Sequence, residues 1–343
     1  MKAAVINDYG GPEAIEIVEL PDPRPGPGEV SVRVRAAALN RLDVWTLSGS
    51  LKLPIEFPHI LGADAAGEIE AVGEGVRGLK AGARVLINPG ISCRECERCR
   101  SGEHSECPSF RILGEHLPGT LCELVVVPAL NVFPFPEELS WTEGAALGIT
   151  FITAYRMLFN KGRMRPGEWV LITGIGGGLA LSLLQLARPV AGRVFVTSSS
   201  QAKISKAKEL GADEGIDYTS DDVGKTVRHM TGRRGVDLVL DSSGGEALDS
   251  GLRSLVQGGR LVIAGATAGP KSEINLQRLF WNQLTLQGST MGSDPDVANM
   301  LRAVTGGGIR PIIDRSFPLA EVADAFTYLE SPERFGKVAV EIS

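Results

Sequence analysis

The sequence is poor in aromatic residues and in histidine. Phe, Trp and Tyr make up 6% of its 343 residues, and there are only four histidines. It has no long basic run and no basic patch interleaved with aromatics, and its formal net charge is −6. These lacks argue against nucleic acid as a partner. No apolar run approaches the roughly 20 residues that span a bilayer, so no membrane partner is expected. Met1–Gly10 has neither the length nor the cleavage pattern of a secretory leader, and the expected location is the cytoplasm. Cysteine is scarce as well, five in all, with four between residues 93 and 107 and Cys122 apart. A disulfide framework would scatter its cysteines along a secreted chain; thiols packed this closely suggest metal.

What the chain does have is glycine and proline, 42 and 20 residues. Turns are therefore frequent. The length suits two domains better than one core. Residues 1 to about 135 carry short β-like runs separated by Pro- and Gly-rich turns, among them Val30–Arg35, Gly67–Val72, Arg84–Ile87 and Leu124–Val127. The pattern changes near Ser140, where Glu143 three residues on completes a capping box. From Trp169–Thr173 onward, apolar strands alternate with helices as far as Thr285–Gln287. That alternation predicts a parallel sheet covered on both faces. Two helices, Asp296–Val304 and Glu321–Leu329, and a last strand, Lys337–Ile342, end the chain. The expected fold class is α/β: a Rossmann-type doubly wound domain over 151–294 and a β-rich domain made of 1–150 and 295–343.

Two motifs carry chemistry. In the first, strand Trp169–Thr173 runs into Gly174-Ile-Gly176-Gly177-Gly178-Leu-Ala180 and a helix follows at once. Missing side chains let a pyrophosphate approach the backbone, and the helix N-terminus supplies free N–H groups and partial positive charge. The strand-before, helix-after context is what gives such a turn its meaning; the competing reading is a glycine-rich connection with no ligand. The next strand ends at Thr197-Ser198-Ser199-Ser200. A carboxylate there would bind the ribose hydroxyl of NAD and repel the phosphate of NADP. Ser198 removes that repulsion, Lys203 is placed to pair with phosphate, and Tyr218 is placed to line the same edge. NADP(H) is thus favoured over NAD(H), although the serines could serve only to cap the next helix.

The second motif is Cys93-x2-Cys96-x2-Cys99-x7-Cys107, in a lobe spanning about 90–110. Four thiolates at this spacing can close a tetrahedron around zinc, and an all-cysteine site leaves no open position, so the expected role is structural, one zinc per subunit. Arg94, Glu95, Glu97 and Arg98 fill the gaps, and such a polar loop needs a metal to hold it. Reduced thiols without metal, or an iron–sulfur cluster, are the alternatives.

Taken together these motifs resemble the medium-chain dehydrogenase/reductase superfamily along essentially the whole chain. The resemblance extends to Gly258-Gly259-Arg260 and the closing Gly336-Lys337-Val338. It implies a GroES-like catalytic domain built from both chain ends, a cofactor domain in the middle, a cleft between them, and a homodimer or homotetramer. The lobe spacing is similar to that of zinc alcohol dehydrogenases, whereas the glycine turn looks more like that of quinone oxidoreductases and enoyl reductases. By the same resemblance the three reactive-zinc ligand positions read Asn40, Ala63 and about Ala146, and the proton-relay positions read Leu42 and Trp45. One remaining carboxylate, Asp64, does not make a zinc site. A substitute site from His59, Asp64 and His116 is conceivable.

Without metal, hydrogen-bond donors must stabilise a developing oxyanion. The resemblance points to the Asn40 amide as the first candidate, to Thr150 facing the nicotinamide, to Arg41 on the pyrophosphate and to Gly265 at the cofactor. It also implies a structural pair of Asp43 with Lys337. His59 or His116 could donate a proton, the competing reading for each being a hydrogen-bonded structural histidine. His104 and His229 are expected at the surface. The leading expectation is an NADPH-dependent reductase of a small carbonyl, enone or quinone. The alternatives are a zinc-binding alcohol or aldehyde dehydrogenase and a non-catalytic NADP-binding regulatory or structural protein.

Overall fold

The computed structural model describes residues 1–342. It divides into two compact units, one of residues 1–150, 292–301 and 310–343, the other of 151–291 and 302–309.

The first stretch is β-rich. A small antiparallel sheet joins β1 (Lys2–Ile6), β2 (Ile15–Glu19) and β4 (His59–Ile60). A larger sheet is built on β3 (Glu29–Leu39), which pairs with β5 (Asp64–Val72) and β9 (Leu124–Pro128). β6 (Arg84–Ile87) and β10 (Val132–Pro134) extend it beyond β5. Alternation sets the inward face: Val30, Val32 and Val34 are buried, and Arg33 and Arg35 reach outward to Glu70 and Glu68. A short helix, α1 (Arg41–Leu47), leaves the end of β3. The lobe carries β7 (Gly90–Ile91), one helical turn, α2 (Glu97–Arg100), and β8 (Arg111–Ile112). The capping box at Ser140 opens α3 (Trp141–Ala146), with Ser140 Oγ accepting from Glu143 N. The helical stretch that follows is wide-turned at Leu147–Phe151 and Arg156–Lys161, with regular α4 (Ile152–Tyr155) between.

The second unit holds six parallel strands: β11 (Trp169–Ile172), β12 (Arg193–Ser198), β13 (Glu214–Asp217), β14 (Val236–Asp241), β15 (Leu255–Ile263) and β16 (Thr285–Gly288). Their order is β13-β12-β11-β14-β15-β16. The connections run through α5 (Gly178–Ala187), α6 (Gln201–Glu209), α7 (Val223–Met230), α8 (Glu246–Ser254) and α9 (Leu276–Trp281). The central strands are apolar without alternation, as burial on both faces requires: Leu171, Phe195 and Val239 are all fully buried. The order reverses between β11 and β14, and the crevice beyond such a switch point is where ligands of these sheets bind.

The chain closes with α10 (Asp294–Gly307), β17 (Ile313–Pro318), α11 (Val322–Leu329) and β18 (Lys337–Glu341). β18 joins the large sheet antiparallel to β3, with Val338 opposite Leu39, and β17 runs parallel beside it. The sequence reading missed β17, whose Asp, Arg and Pro mask its pattern. It also missed α1, although Asn40 followed by Asp43 is an N-terminal signal.

Candidate active site, cofactor turn and cysteine lobe

The end of β3, the start of β5 and the start of β18 bring three side chains to one buried point. Asn40 is 7% exposed, Asp64 0% and Lys337 4%. Lys337 Nζ donates to Asn40 Oδ1 at 2.6 Å and to Asp64 Oδ2 at 3.1 Å. Asn40 Nδ2 donates to Asp64 Oδ2 at 3.0 Å and to the Ala38 carbonyl at 3.2 Å. Asp64 Oδ1 accepts the Ile149 N–H at 2.7 Å. Only glycine can stand beside that oxygen: a Cβ at Gly148 would come within 2.1 Å of it.

This arrangement corrects two expectations. Both amide hydrogens of Asn40 are already donated within the protein, so the amide is not a free donor for a substrate oxygen. The partner of Lys337 is Asp64, not Asp43. Asp43 instead accepts the Asn40 backbone N–H on Oδ2 at 2.6 Å, while its Oδ1 is buried without a partner. Burial, aided by the charge of Asp64, pushes the Asp43 carboxyl up to about 7, against the pull of the Asn40 N–H and of Lys337.

The histidines also separate. His59 is buried and its Nε2 lies 3.1 Å from the Gly114 carbonyl, which can only accept, so Nε2 carries a proton. Burial lowers its pKa against the pull of the Gly114 carbonyl. His116 is one-third exposed, and its Nδ1 accepts the Ile112 backbone N–H at 3.3 Å. That contact fixes the tautomer: Nε2 carries the proton. Burial, with Arg111 adding to it, lowers the His116 pKa. Neither histidine gathers with Asp64. Among the described residues the four cysteines are the only metal-competent cluster of three or more such side chains. Thr150 is buried and its Oγ1 donates to the Ala146 carbonyl, and Arg41 pairs with Glu330 at 2.9 Å. His229 is exposed, but His104 is half-buried and accepts the Asp294 N–H on Nδ1.

In the glycine turn, Gly174 and Gly176 have φ of +68° and +112°, left-handed values that favour glycine. Gly177 caps α5 with no side-chain hydrogen bond, so the first N–H groups of the helix have no side-chain acceptor at the cap. Lys203 reaches back over this turn: a Cβ on Gly176 would lie 2.8 Å from its Cδ and 3.5 Å from its Nζ. Ser198 Oγ accepts the Ser200 N–H, and Ser200 caps α6, so the serines do serve the turn and the helix. The Ser198 hydroxyl still has its proton to donate. Tyr218 is half-exposed, and its N–H meets the Ser198 carbonyl. Across the switch point Thr173 Oγ1 donates to the buried Asp241 at 2.6 Å. Gly265 presses on the Ser242 backbone, where a Cβ would be 2.5 Å from the carbonyl oxygen. This crevice fits a dinucleotide.

The sulfurs of Cys93, Cys96, Cys99 and Cys107 lie within 4.8 Å of one another. Three edges measure 3.5, 3.9 and 3.9 Å. A tetrahedron of sulfurs about 2.3 Å from a zinc ion has edges of about 3.8 Å, so the set fits zinc. Backbone N–H groups of Glu95 and Cys96 hold the Cys93 thiol down at about 6, whereas burial pushes Cys99 up to about 11. Arg94, at φ +65°, turns out of the lobe to Asp294 and to Asn131 Oδ1 at 3.1 Å. Cys122 is buried apart and donates to the Leu124 carbonyl.

A six-stranded parallel sheet with a glycine turn at its switch point, in one chain with a GroES-like β unit, defines the class of two-unit nicotinamide-dependent oxidoreductases. Residues 26–137 match the alcohol dehydrogenase GroES-like domain family, and residues 178–306 match the zinc-binding dehydrogenase family. The acryloyl-coenzyme A reductase of Metallosphaera sedula is 31% identical over 98% of this chain and 99% of its own length. The synaptic vesicle membrane protein VAT-1 homolog of Rattus norvegicus is 31% identical over 98% of this chain and 83% of its own. The crystal structure of an NAD-dependent alcohol dehydrogenase superposes with a TM-score of 0.95 at 43% identity, covering 100% of both chains. The chain belongs to the medium-chain dehydrogenase/reductase superfamily and is an NAD(P)-dependent oxidoreductase. No helix among the described residues is long and apolar enough to cross a membrane.

Proposed function

We propose that this enzyme is an NADPH-dependent reductase of a small enone, quinone or related conjugated carbonyl, with one structural zinc on Cys93, Cys96, Cys99 and Cys107 and no metal in the reaction. The observation that carries this reading is the ammonium of Lys337 bonded to both Asn40 and Asp64, a resident cation beside the positions that read Asn40 and Ala63 in place of metal ligands. The similarity to an acryloyl-coenzyme A reductase supports a conjugated substrate.

The nicotinamide supplies hydride when bound. Gly174, Gly177, Gly178 and Ala180 at the start of α5 would hold its pyrophosphate, and Ser198, Lys203 and Tyr218 its adenosine end. Lys203 beside Gly176 and the lack of a carboxylate after β12 favour the extra phosphate of NADP. Neutral His116, its Nδ1 occupied by Ile112, offers Nε2–H to the substrate oxygen as charge develops there. Thr150 stands as the second polar group, and Asn40 is a positioning residue. A homodimer or homotetramer is the proposed assembly.

The test is turnover. Methyl vinyl ketone and 9,10-phenanthrenequinone should be reduced with NADPH, and faster than with NADH. The 43% identity to an NAD-dependent alcohol dehydrogenase favours a second reading, alcohol oxidation with NAD. Oxidation of 1-butanol with NAD, abolished by a chelator, would establish that reading and overturn the first.

A further inference from the structure

One buried acid has no place in that account. Glu115 lies in the tight turn between β8 and β9, next to His116, and is 8% exposed. The turn is rigidly seated: a Cβ on Gly114 would come within 2.3 Å of the Gly62 carbonyl oxygen, and Thr120 N donates to that same carbonyl at 2.8 Å. Gly62 precedes Ala63 and Asp64, so the turn packs on the segment that carries Asp64, the acid bonded to Asn40 and Lys337. Among the described residues Glu115 pairs with no lysine or arginine. Its Oε2 is buried without a hydrogen-bond partner and lies 3.5 Å from His116 Nδ1.

The Nδ1 lone pair already receives the Ile112 N–H. An ionised Glu115 would set two acceptors against each other, with its Oε2 buried and unable to turn to water. A proton on Oε2 removes the conflict. Burial works the same way and pushes the Glu115 carboxyl up to about 7. The charged groups that bear on this pair are few: Arg111 acts on His116, and Asp43 of α1 is repelled by Glu115.

We propose that Glu115 is the proton store of the reductase, handing its proton to the reduced substrate through His116. The proposal rests on the reductase reading. Hydride is received at the β-carbon of the enone, the C=C pair shifts, and an enolate results. The enolate oxygen takes the proton from His116 Nε2, breaking that N–H bond, and the enol tautomerises in water to the saturated ketone. The O–H of Glu115 breaks, and its proton goes to Nδ1 as the Ile112 N–H is displaced. Glu115 is left as a carboxylate and His116 as the Nδ1–H tautomer; a proton from water then enters at Nε2 while the Nδ1 proton returns to Glu115, which restores both groups before the next turnover. His116 touches substrate; Glu115 acts through it.

The experiment measures kcat for methyl vinyl ketone with NADPH from pH 5.5 to 9, for the wild type and for Glu115→Gln. The acid is loaded below its pKa and emptied above it. Wild-type kcat should be flat on the acid side and fall up to tenfold per pH unit above about 7. Glu115→Gln should be 10- to 100-fold slower at pH 6, keep its KM for NADPH, and lose the alkaline fall. A merely structural role would not remove that limb. As a measurement apart from turnover, the side-chain carboxyl carbon of Glu115, assigned by its loss in Glu115→Gln, should titrate near 7 in carbon-13 NMR of the NADP complex. A midpoint below 5, or turnover with the alkaline fall intact in Glu115→Gln, overturns the proposal alone. No turnover of methyl vinyl ketone or phenanthrenequinone overturns the reductase reading and the proposal with it.

Discussion

At the scale of single residues, the account turns on how buried charge is balanced. Lys337 and Asp64 are both almost fully buried, and each satisfies the other through a direct bond and through Asn40. Removing one partner of such a pair strands the other charge in a medium that cannot solvate it. Lys337→Met is therefore expected to lower the free energy of unfolding by about 3–5 kcal/mol, read from urea titration. Adding Asp64→Asn should recover part of the loss. Asp43 gives a prediction of opposite pH sense. Its folded-state pKa is raised from 3.8 to about 7, so its contribution is present in acid and is lost as pH rises through about 7. Asp43→Asn keeps an acceptor for the Asn40 N–H but carries no charge. Its melting temperature should exceed that of the wild type at pH 8.5, and the excess should shrink steadily as pH falls toward 4. The presence of these residues was legible in the sequence, but their pairing was not. Asp43 and Asp64 are both buried acids near the end of β3, and only register decides that Asp64, opposite Ala38, meets the lysine of β18.

At the scale of elements, two local structures are the proposed seats of the cofactor and the metal. The glycine turn combines strain with open space, and the two can be separated by mutation. Gly177 has φ −79°, and no atom outside its neighbours lies nearer than 3.9 Å to an added Cβ. Gly177→Ala should thus fold with near wild-type stability and yet bind NADPH at least tenfold more weakly in calorimetry, because the methyl occupies the pyrophosphate cradle. Gly176→Ala should lose both, since φ +112° is strained for alanine and Lys203 stands in the way. The cysteine lobe has little apolar content between Cys93 and Cys107, and α2 is a single turn. Cys99→Ser should lose bound zinc and speed hydrogen exchange over residues 90–112, leaving the parallel sheet protected. Both structures were legible because spacing alone specifies them: strand, glycines and helix in one case, four thiols within fifteen residues in the other. The edges of the fold were harder to read. β17 carries three polar residues in a row, Asp314, Arg315 and Ser316, which break the strand alternation, and α1 is a seven-residue helix.

At the scale of the whole molecule, the last strand returns to the large sheet of the first unit. β18 lies against β3, so residues near 340 complete a unit begun near residue 1. This is why Lys337 belongs to the candidate active site at all, and why no local window of sequence could have placed it there. On the proposed reading, the zinc lobe and the reacting groups fall on different parts of the first unit. The four cysteines form a closed set with no position left for a substrate. The polar groups at the end of β3 are organised around an ammonium. The central claim is that zinc supports the lobe and takes no part in turnover. The measurement that tests it most directly is the zinc content of the fully active enzyme, by elemental analysis alongside its rate with methyl vinyl ketone. The account predicts one zinc per chain and no gain in rate on adding more. Two zinc ions per chain, or a rate that rises with the second equivalent, would contradict it.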